Sequence, residues 1–160
     1  MSGSLWNHQM ILDAIPHRPP FLFVDEILDW KDNTEITTTY TFKGNEFFFE
    51  GHYPGAPLVP GVILCESAMQ AGAVLLSKLF AAEIAQEKQS DSYDPSKEII
   101  PVVGRMKEIK FKRMVSPGET VVQHVRLKEK MSGAYFLTAQ ITVEGELAVS
   151  FEFTCVQTRK

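Results

Sequence analysis

The chain has little cysteine, no excess of positive charge and no uncharged apolar run of bilayer length. Its 160 residues include two cysteines, Cys65 and Cys155, and neither has the spacing of a zinc-binding motif. The formal net charge is −4, whereas a nucleic-acid-binding protein needs a basic surface. No run approaches the roughly 18 uncharged apolar residues that span a membrane, and no basic flank leads into an apolar core near the N-terminus. We therefore expect a cytoplasmic protein with reduced thiols, without a metal site and with neither nucleic acid nor membrane as a partner.

The composition is that of one globular domain. Hydrophobic residues make up 44% of the chain and charged residues 22%, which is enough to bury most of the surface that the unfolded chain would expose. We predict a single domain over residues 1–160, with residues 1–4 flexible and residues 83–98 forming an exposed polar connection.

The order of apolar and turn-forming residues predicts an α+β fold. A short helix over residues 4–15 ends at Pro16. A second helix, from residue 62 to about residue 82, is apolar almost all round, as in a helix surrounded by protein. Six strands are predicted, at residues 21–30, 34–42, 99–112, 120–130, 134–143 and 147–157. Tight turns join the last four strands, so we expect one long central helix wrapped by a curved antiparallel sheet of about six strands.

One acidic residue, Glu66, lies near the start of the long apolar helix. Burial of a bare carboxylate costs on the order of several kcal/mol unless the group is paired, protonated or kept for function. Glu66 could simply face the positive end of the helix dipole. However, Gln70 lies one turn later on the same face and a histidine lies just upstream, so a functional role has to be weighed.

The upstream loop, residues 44–61, holds His52 in the stretch GHYPG. The glycines and the proline around it fix an irregular backbone path that can hold an imidazole in one orientation. Gly61 then begins the helix, and the first N–H groups of a helix have no intrahelical acceptor, which makes a site for an oxyanion. The remaining histidines are expected to be ordinary surface residues: His8, His17 and His124.

These residue types together suit removal of a proton next to a carbonyl group. A histidine exchanges a proton near neutral pH, and a carboxyl group in an apolar setting favours its protonated form. Helix N–H groups stabilise an enolate-like oxygen, and the acid protonates a leaving hydroxyl. The pattern therefore indicates an elimination reaction.

Three stretches make the sequence resemble a known enzyme family. They are PHRPPFLFVDEIL at residues 16–28, GHYPGAPLVPGVILCESAMQ at 51–70 and KFKRMVSPGE at 110–119. The chain resembles the 3-hydroxyacyl-[acyl-carrier-protein] dehydratases of bacterial fatty acid synthesis, of the FabZ type, over nearly its whole length. The interval of fourteen residues from histidine to acid is the most specific element. The resemblance implies the hotdog fold and the formation of a trans-2-enoyl thioester by loss of water.

The resemblance also implies roles for the matching residues. His52 would remove the C2 proton, and Glu66 would protonate the leaving hydroxyl. The Gly61 N–H would bind the thioester carbonyl, and Gln70 would orient the acid. Family members are homodimers, often grouped as three dimers, in which the histidine and the acid of one site come from different subunits. The substrate is carried on the phosphopantetheine of acyl carrier protein, and no metal or organic cofactor is implied.

Two departures refine the resemblance. The related dehydratases that also isomerise the double bond typically use aspartate as the acid, so Glu66 favours dehydration alone. The family often has tyrosine where this chain has Pro19, which puts in doubt any gating or lining role at that position.

A basic stretch, RMKEIKFKR at residues 105–113, stands out in an otherwise acidic chain. One interpretation is a strand with a solvated charged face. Alternatively, it docks the acidic carrier protein, where complementary charge mainly raises the association rate. The candidate docking residues are Arg105, Lys107, Lys110, Lys112 and Arg113.

Other functions stay open from the sequence. A different hotdog enzyme, an acyl thioesterase or an enoyl-CoA hydratase, would act on similar thioesters, and a non-catalytic acyl-binding module would keep the fold alone. A catalytic cysteine is disfavoured because Cys65 and Glu66 point about 100° apart on a helix. Serine hydrolase chemistry is disfavoured because the sequence has no G-x-S-x-G motif, which holds the nucleophile in such enzymes.

Overall fold

The computed structural model describes residues 8–96 and 99–159 of the chain. These residues contain two helices and six strands. The helices are α1 (His8–Ala14) and α2 (Gly61–Glu87), and the strands are β1 (Glu26–Lys31), β2 (Glu35–Thr41), β3 (Ile99–Phe111), β4 (Thr120–Met131), β5 (Ala134–Val143) and β6 (Glu146–Arg159). The predicted flexibility of residues 1–4 lies outside the described residues.

The six strands form one antiparallel sheet in the order β1-β2-β4-β5-β6-β3. Consecutive strands from β4 to β6 are hairpins, and their turns place Gly133 and Gly145 at positive φ, where glycine is favoured. Strand β3 precedes β4 in the chain but pairs with β6, so β1 and β3 are the two edges. The predicted α+β architecture, a sheet wrapped round one long helix, is confirmed.

Helix α2 is the axis of the fold because one side of it is built from small and branched apolar residues. Ala68, Ala71 and Leu75 are fully buried against the sheet. Gly72 lets the helix approach β6 closely, since a Cβ atom there would lie 2.7 Å from the ring of Phe153. By length and composition alone α2 could cross a membrane, but 61% of its most apolar window is buried within the protein.

The first strand is shorter than predicted, since β1 begins at Glu26 and residues 21–25 are not strand. The reason is that glutamine side chains take the backbone groups that a neighbouring strand would otherwise bond. Phe23 N–H donates to Gln70 Oε1 at 2.8 Å, and Phe23 C=O accepts from Gln123 Nε2 at 3.1 Å. This segment therefore crosses above α2 as an anchored, irregular chain.

The long helix also extends further than predicted, to Glu87, so residues 83–87 do not belong to an exposed connection. Glu83 explains the extension, because its carboxylate accepts hydrogen bonds from Lys130, Tyr135 and Gln157. These bonds tie the last turns of α2 to three strands. Of the predicted connection, residues 97 and 98 lie outside the described residues.

Candidate active site

The loop before α2 fixes His52 by local backbone bonds. His52 N–H donates to Phe49 C=O at 3.4 Å, and Tyr53 adopts a positive φ of 54°, which turns the chain sharply after the histidine. The imidazole Nδ1 lies 3.0 Å from Leu58 C=O. A carbonyl oxygen only accepts, so Nδ1 carries the proton and Nε2 keeps a lone pair. The ring is thus held in the tautomer that a general base requires.

Gly61 is the first residue of α2. As the first helical residue it has an N–H with no intrahelical acceptor, and the preceding Pro60 has no N–H at all. Both His52 and Gly61 line one open cavity of about 830 Å³, together with Phe111 and Lys112. This cavity therefore combines a base with a helix-end hydrogen-bond donor.

Glu66 lies five residues further along α2, and Gln70 follows it by one turn. Gln70 Nε2 donates to Glu66 Oε1 at 3.0 Å and to Phe21 C=O at 3.1 Å. Since Gln70 Oε1 accepts from the Phe23 N–H, the orientation of the amide is fixed by the backbone around it. The predicted partnership of Gln70 with Glu66 is present, and Gln70 also anchors the crossing segment.

His17 is a third ionisable side chain at this site, and the sequence interpretation assigned it to the surface. Its Nε2 lies 3.6 Å from Glu66 Oε1. Its Nδ1 is buried and finds no hydrogen-bond partner within residues 8–96 and 99–159. The sequence feature that could have indicated His17 is its position in the PHR stretch. The hydrogen bonds of Gln70 to Phe21 and Phe23 hold the chain just after this stretch against α2.

Glu66 and His52 line separate cavities within one chain. Glu66, Gln70 and His17 line a narrower, mostly apolar cavity of about 220 Å³, whereas His52 and Gly61 line the wider and more open one. The described chain therefore brings together two pairs, base with helix N–H and acid with amide, and keeps the pairs apart.

Apolar residues form most of the rest of the Glu66 cavity. They come from the end of α1 and the residues after it, from α2 and from the start of β3, and include Ile15, Met69, Ala73, Phe80 and Val102. Cys155 also lines it, and burial raises the pKa of the Cys155 thiol to about 11. Burial likewise raises the pKa of Cys65 to about 11, so both thiols are poor nucleophiles at neutral pH.

The five basic residues of the 105–113 stretch occupy different surroundings. Lys107 is paired with Glu152 at 3.3 Å, while Arg105 and Lys110 are exposed. Arg113 donates to Glu119 and to Glu146. Its bond to Glu119, followed by the bond from the Ser116 N–H, holds the pKa of Glu119 below its usual range.

Lys112 is exposed at the mouth of the His52 cavity.

Pro19, the residue at the position of the family's tyrosine, precedes Pro20 through a cis peptide bond. No group of three histidine, cysteine or acidic side chains in the described part of the chain is placed to hold a metal ion.

The sequence matches a family model described as a FabA-like domain over residues 15–152. The chain belongs to the FabA-like family. Among relatives of this FabA-like chain, a protein of Rickettsia massiliae named 3-hydroxyacyl-[acyl-carrier-protein] dehydratase FabZ is 34% identical over 146 residues, which is 91% of this chain and 92% of the relative. A protein of Shewanella frigidimarina with the same name is 32% identical over 147 residues, covering 92% and 89% of the two chains.

Solved structures show the fold of this FabA-like chain. The dehydratase heterocomplex ApeI:P from Xenorhabdus doucetiae has a TM-score of 0.69 at 14% identity, over 92% of this chain and 90% of that one. A hypothetical thioesterase with coenzyme A from Streptococcus pneumoniae has a TM-score of 0.60 at 13% identity, over 94% and 93%. The hotdog fold predicted from the sequence is confirmed.

Proposed function

We propose that the protein dehydrates 3-hydroxyacyl thioesters on acyl carrier protein to trans-2-enoyl thioesters, in a site shared by two subunits. The main support for the proposal is that the candidate site residues form two pairs in separate cavities of one chain. One pair contains His52 and the other contains Glu66. Relatives that match more than nine-tenths of the chain are named 3-hydroxyacyl-[acyl-carrier-protein] dehydratase, and this name supports the proposed substrate class.

The chemistry needs one residue from each cavity. His52 Nε2 takes the C2 proton, and the electrons of that C–H bond move toward the thioester carbonyl, whose oxygen accepts from the Gly61 N–H. The C3–O bond then breaks as Glu66 gives its proton to the departing hydroxyl. The products are water and the enoyl thioester, with His52 protonated and Glu66 ionised. Transfer of one proton between them through solvent restores the resting state.

The exposed edge strand β3 provides a way to join the two cavities. Its N-terminal part contributes Val102 and Val103 to the Glu66 cavity, and its last residue, Phe111, lines the His52 cavity. When two β3 strands pair antiparallel about a twofold axis, the start of one lies beside the end of the other. Glu66 of one subunit then faces His52 of the partner subunit, twice per dimer.

The exposure of β3 supports this pairing. The strand is thirteen residues long, and it carries large apolar side chains that are 39–55% exposed, namely Val102, Val103, Ile109 and Phe111. A long apolar sheet edge is a liability in a monomer and is normally covered by a partner. We propose the homodimer as the working unit, with three dimers as the larger assembly that the resemblance implies.

Two further elements complete the proposal. Lys112, exposed at the mouth of the His52 cavity, is placed to meet an acidic carrier protein as the acyl chain enters, and Arg105 and Lys110 lie on the same strand. Arg113 and Lys107 would contribute less, because carboxylates already neutralise them. The reaction runs without a metal or organic cofactor, and we place the protein in the cytoplasm.

Product analysis with carrier-bound 3-hydroxyacyl substrate tests the proposal. Wild type is expected to form enoyl thioester, detected by mass, while His52→Ala and Glu66→Gln each lower kcat by about 100-fold or more, as loss of a general base or acid predicts. Lys112→Glu is the matched surface variant and should raise KM for the carrier-bound substrate but not for a small thioester. If wild type released free acid in place of enoyl thioester, the protein would be a thioesterase. If folded wild type showed no turnover, a non-catalytic acyl-binding module would be the remaining interpretation.

A further inference from the structure

The segment that carries His17 is anchored at both ends, so the position of the imidazole is built into the fold. On one side, Arg18 donates to Ile15 C=O at 2.8 Å and to Leu12 C=O at 2.9 Å. On the other, Gln70 holds the backbone of Phe21 and Phe23 against α2. His17 is thereby placed at the wall of the Glu66 cavity.

Two nitrogen atoms converge on the same oxygen of Glu66. Gln70 Nε2 donates to Oε1 at 3.0 Å, and His17 Nε2 lies 3.6 Å from that oxygen. No hydrogen bond from the described residues reaches Oε2. A protonated carboxyl group has one accepting oxygen and one O–H group, so two donors at Oε1 decide that the proton lies on Oε2.

The buried side of the His17 ring indicates which nitrogen carries its proton. Nδ1 is buried and has no hydrogen-bond partner within residues 8–96 and 99–159. A buried N–H without an acceptor is rarer in proteins than an under-satisfied acceptor. Nδ1 is therefore the lone-pair nitrogen, and Nε2 carries the N–H that points toward Glu66.

We propose that His17 is a positioning residue for Glu66: its Nε2–H, with the Gln70 amide, makes Oε1 the accepting oxygen and directs the acidic proton on Oε2 to the leaving hydroxyl. The inference rests on the proposed dehydration. The distance of 3.6 Å is longer than a hydrogen bond, and catalytic contacts of this kind often tighten only when substrate is bound.

Few other ionisable groups line the cavity around His17. Of the groups that line the cavity, α2 contributes Glu66 and β6 contributes Cys155, whose pKa is raised to about 11 by burial. The residues from β3, 100–103, are apolar, and the neighbouring Arg18 points at backbone carbonyls.

Two substitutions separate positioning from mere packing. His17→Gln keeps an N–H donor at a similar distance from the backbone but cannot become charged, whereas His17→Leu keeps bulk and removes the donor. We expect His17→Leu to lower kcat by about 10- to 100-fold with little change in KM, as for a misplaced catalytic group. His17→Gln should restore most of kcat, because it keeps the donor. His8→Leu, at an exposed histidine of α1, is the matched control.

Nitrogen-15 NMR of the wild-type imidazoles gives a readout that does not depend on turnover. The imidazole signal that is absent from the spectrum of the His17→Gln variant belongs to His17. In wild type that signal should show the Nε2–H tautomer. An Nδ1–H tautomer would overturn the inference, and so would a His17→Leu variant that has the same kcat as an active wild type. An inactive wild type with the expected tautomer would instead reject the proposed dehydration and with it the catalytic role of His17, while the hydrogen-bonding assignment would stand.

Discussion

At the scale of single residues, Gly61 has two separate reasons to be glycine. Its N–H is the donor that the proposed mechanism uses, and its missing side chain makes room for Phe111, whose ring would lie 2.6 Å from a Cβ atom. In the proposed dimer β3 is covered, so Phe111 has little space into which to retreat. The position of the Gly61 N–H, which the proposed mechanism uses, is thus tied to the packing of the last residue of the edge strand.

Gly61→Ala should therefore lower kcat/KM by roughly 10- to 100-fold, because a displaced helix start loses alignment with the carbonyl oxygen. Alanine keeps the N–H, so the loss is steric. The double variant Gly61→Ala, Phe111→Leu should recover much of the activity, with Phe111→Leu alone as the control. Steady-state kinetics on all three check this. Full activity of Gly61→Ala would show that the ring moves away freely and that the link does not exist.

The sequence predicted some of these residues and missed another for physical reasons. Glu66 and Gln70 are four positions apart on a helix, so their contact follows from helix geometry alone. His17 lies 49 positions from Glu66, and only the anchoring of its segment by Gln70 brings the two together. Such a contact depends on tertiary packing, which neither propensity nor spacing reveals.

At the scale of elements, the last turns of α2 are held by a single carboxylate. Partial burial by itself would raise the pKa of Glu83, but the hydrogen bonds from Lys130, Tyr135 and Gln157 outweigh it and lower the pKa below the ordinary value of 4.5. The folded state thus binds this proton less readily than the unfolded state. The resulting stabilisation is present above the ordinary pKa and is lost as the pH falls through the folded one.

Glu83→Gln should destabilise the protein at pH 7 by about 1 kcal/mol, the difference between charged and neutral hydrogen bonds. The deficit should shrink as the pH is lowered from about 5 to about 3. Urea unfolding at several pH values measures it, and Glu129→Gln, at an exposed carboxylate on β4, is the control. A deficit that is constant with pH would mean that shape rather than charge holds the helix end.

The strands were predicted most closely where the sequence alternates and turns are tight. Residues 134–143 form β5 as predicted, between the Ser132-Gly133 and Glu144-Gly145 turns. Residues 21–25 were wrongly assigned to β1, although residues 21–24 are apolar. Their backbone partners are the side chains of Gln70 and Gln123, which lie far away in sequence, so local pattern could not show that the strand begins later.

At the scale of the whole molecule, the division of the site between two cavities is the property that sequence could suggest only through resemblance. The fourteen-residue interval places His52 before the helix and Glu66 within it, and nothing in that spacing shows that they line different cavities. The exposed β3 edge, with apolar groups at both ends, explains how a dimer would reunite them. Activity is then a property of the pair of subunits.

Complementation between two inactive variants tests whether each site is shared by two subunits. His52→Ala and Glu66→Gln chains are co-expressed in equal amounts, and dehydration by the purified mixture is compared with wild type. A mixed dimer with shared sites contains one intact site and one that lacks both groups, so random pairing predicts about one quarter of wild-type activity. Confirmed mixed dimers with no more activity than either variant alone would contradict the shared site and show that each site belongs to one chain.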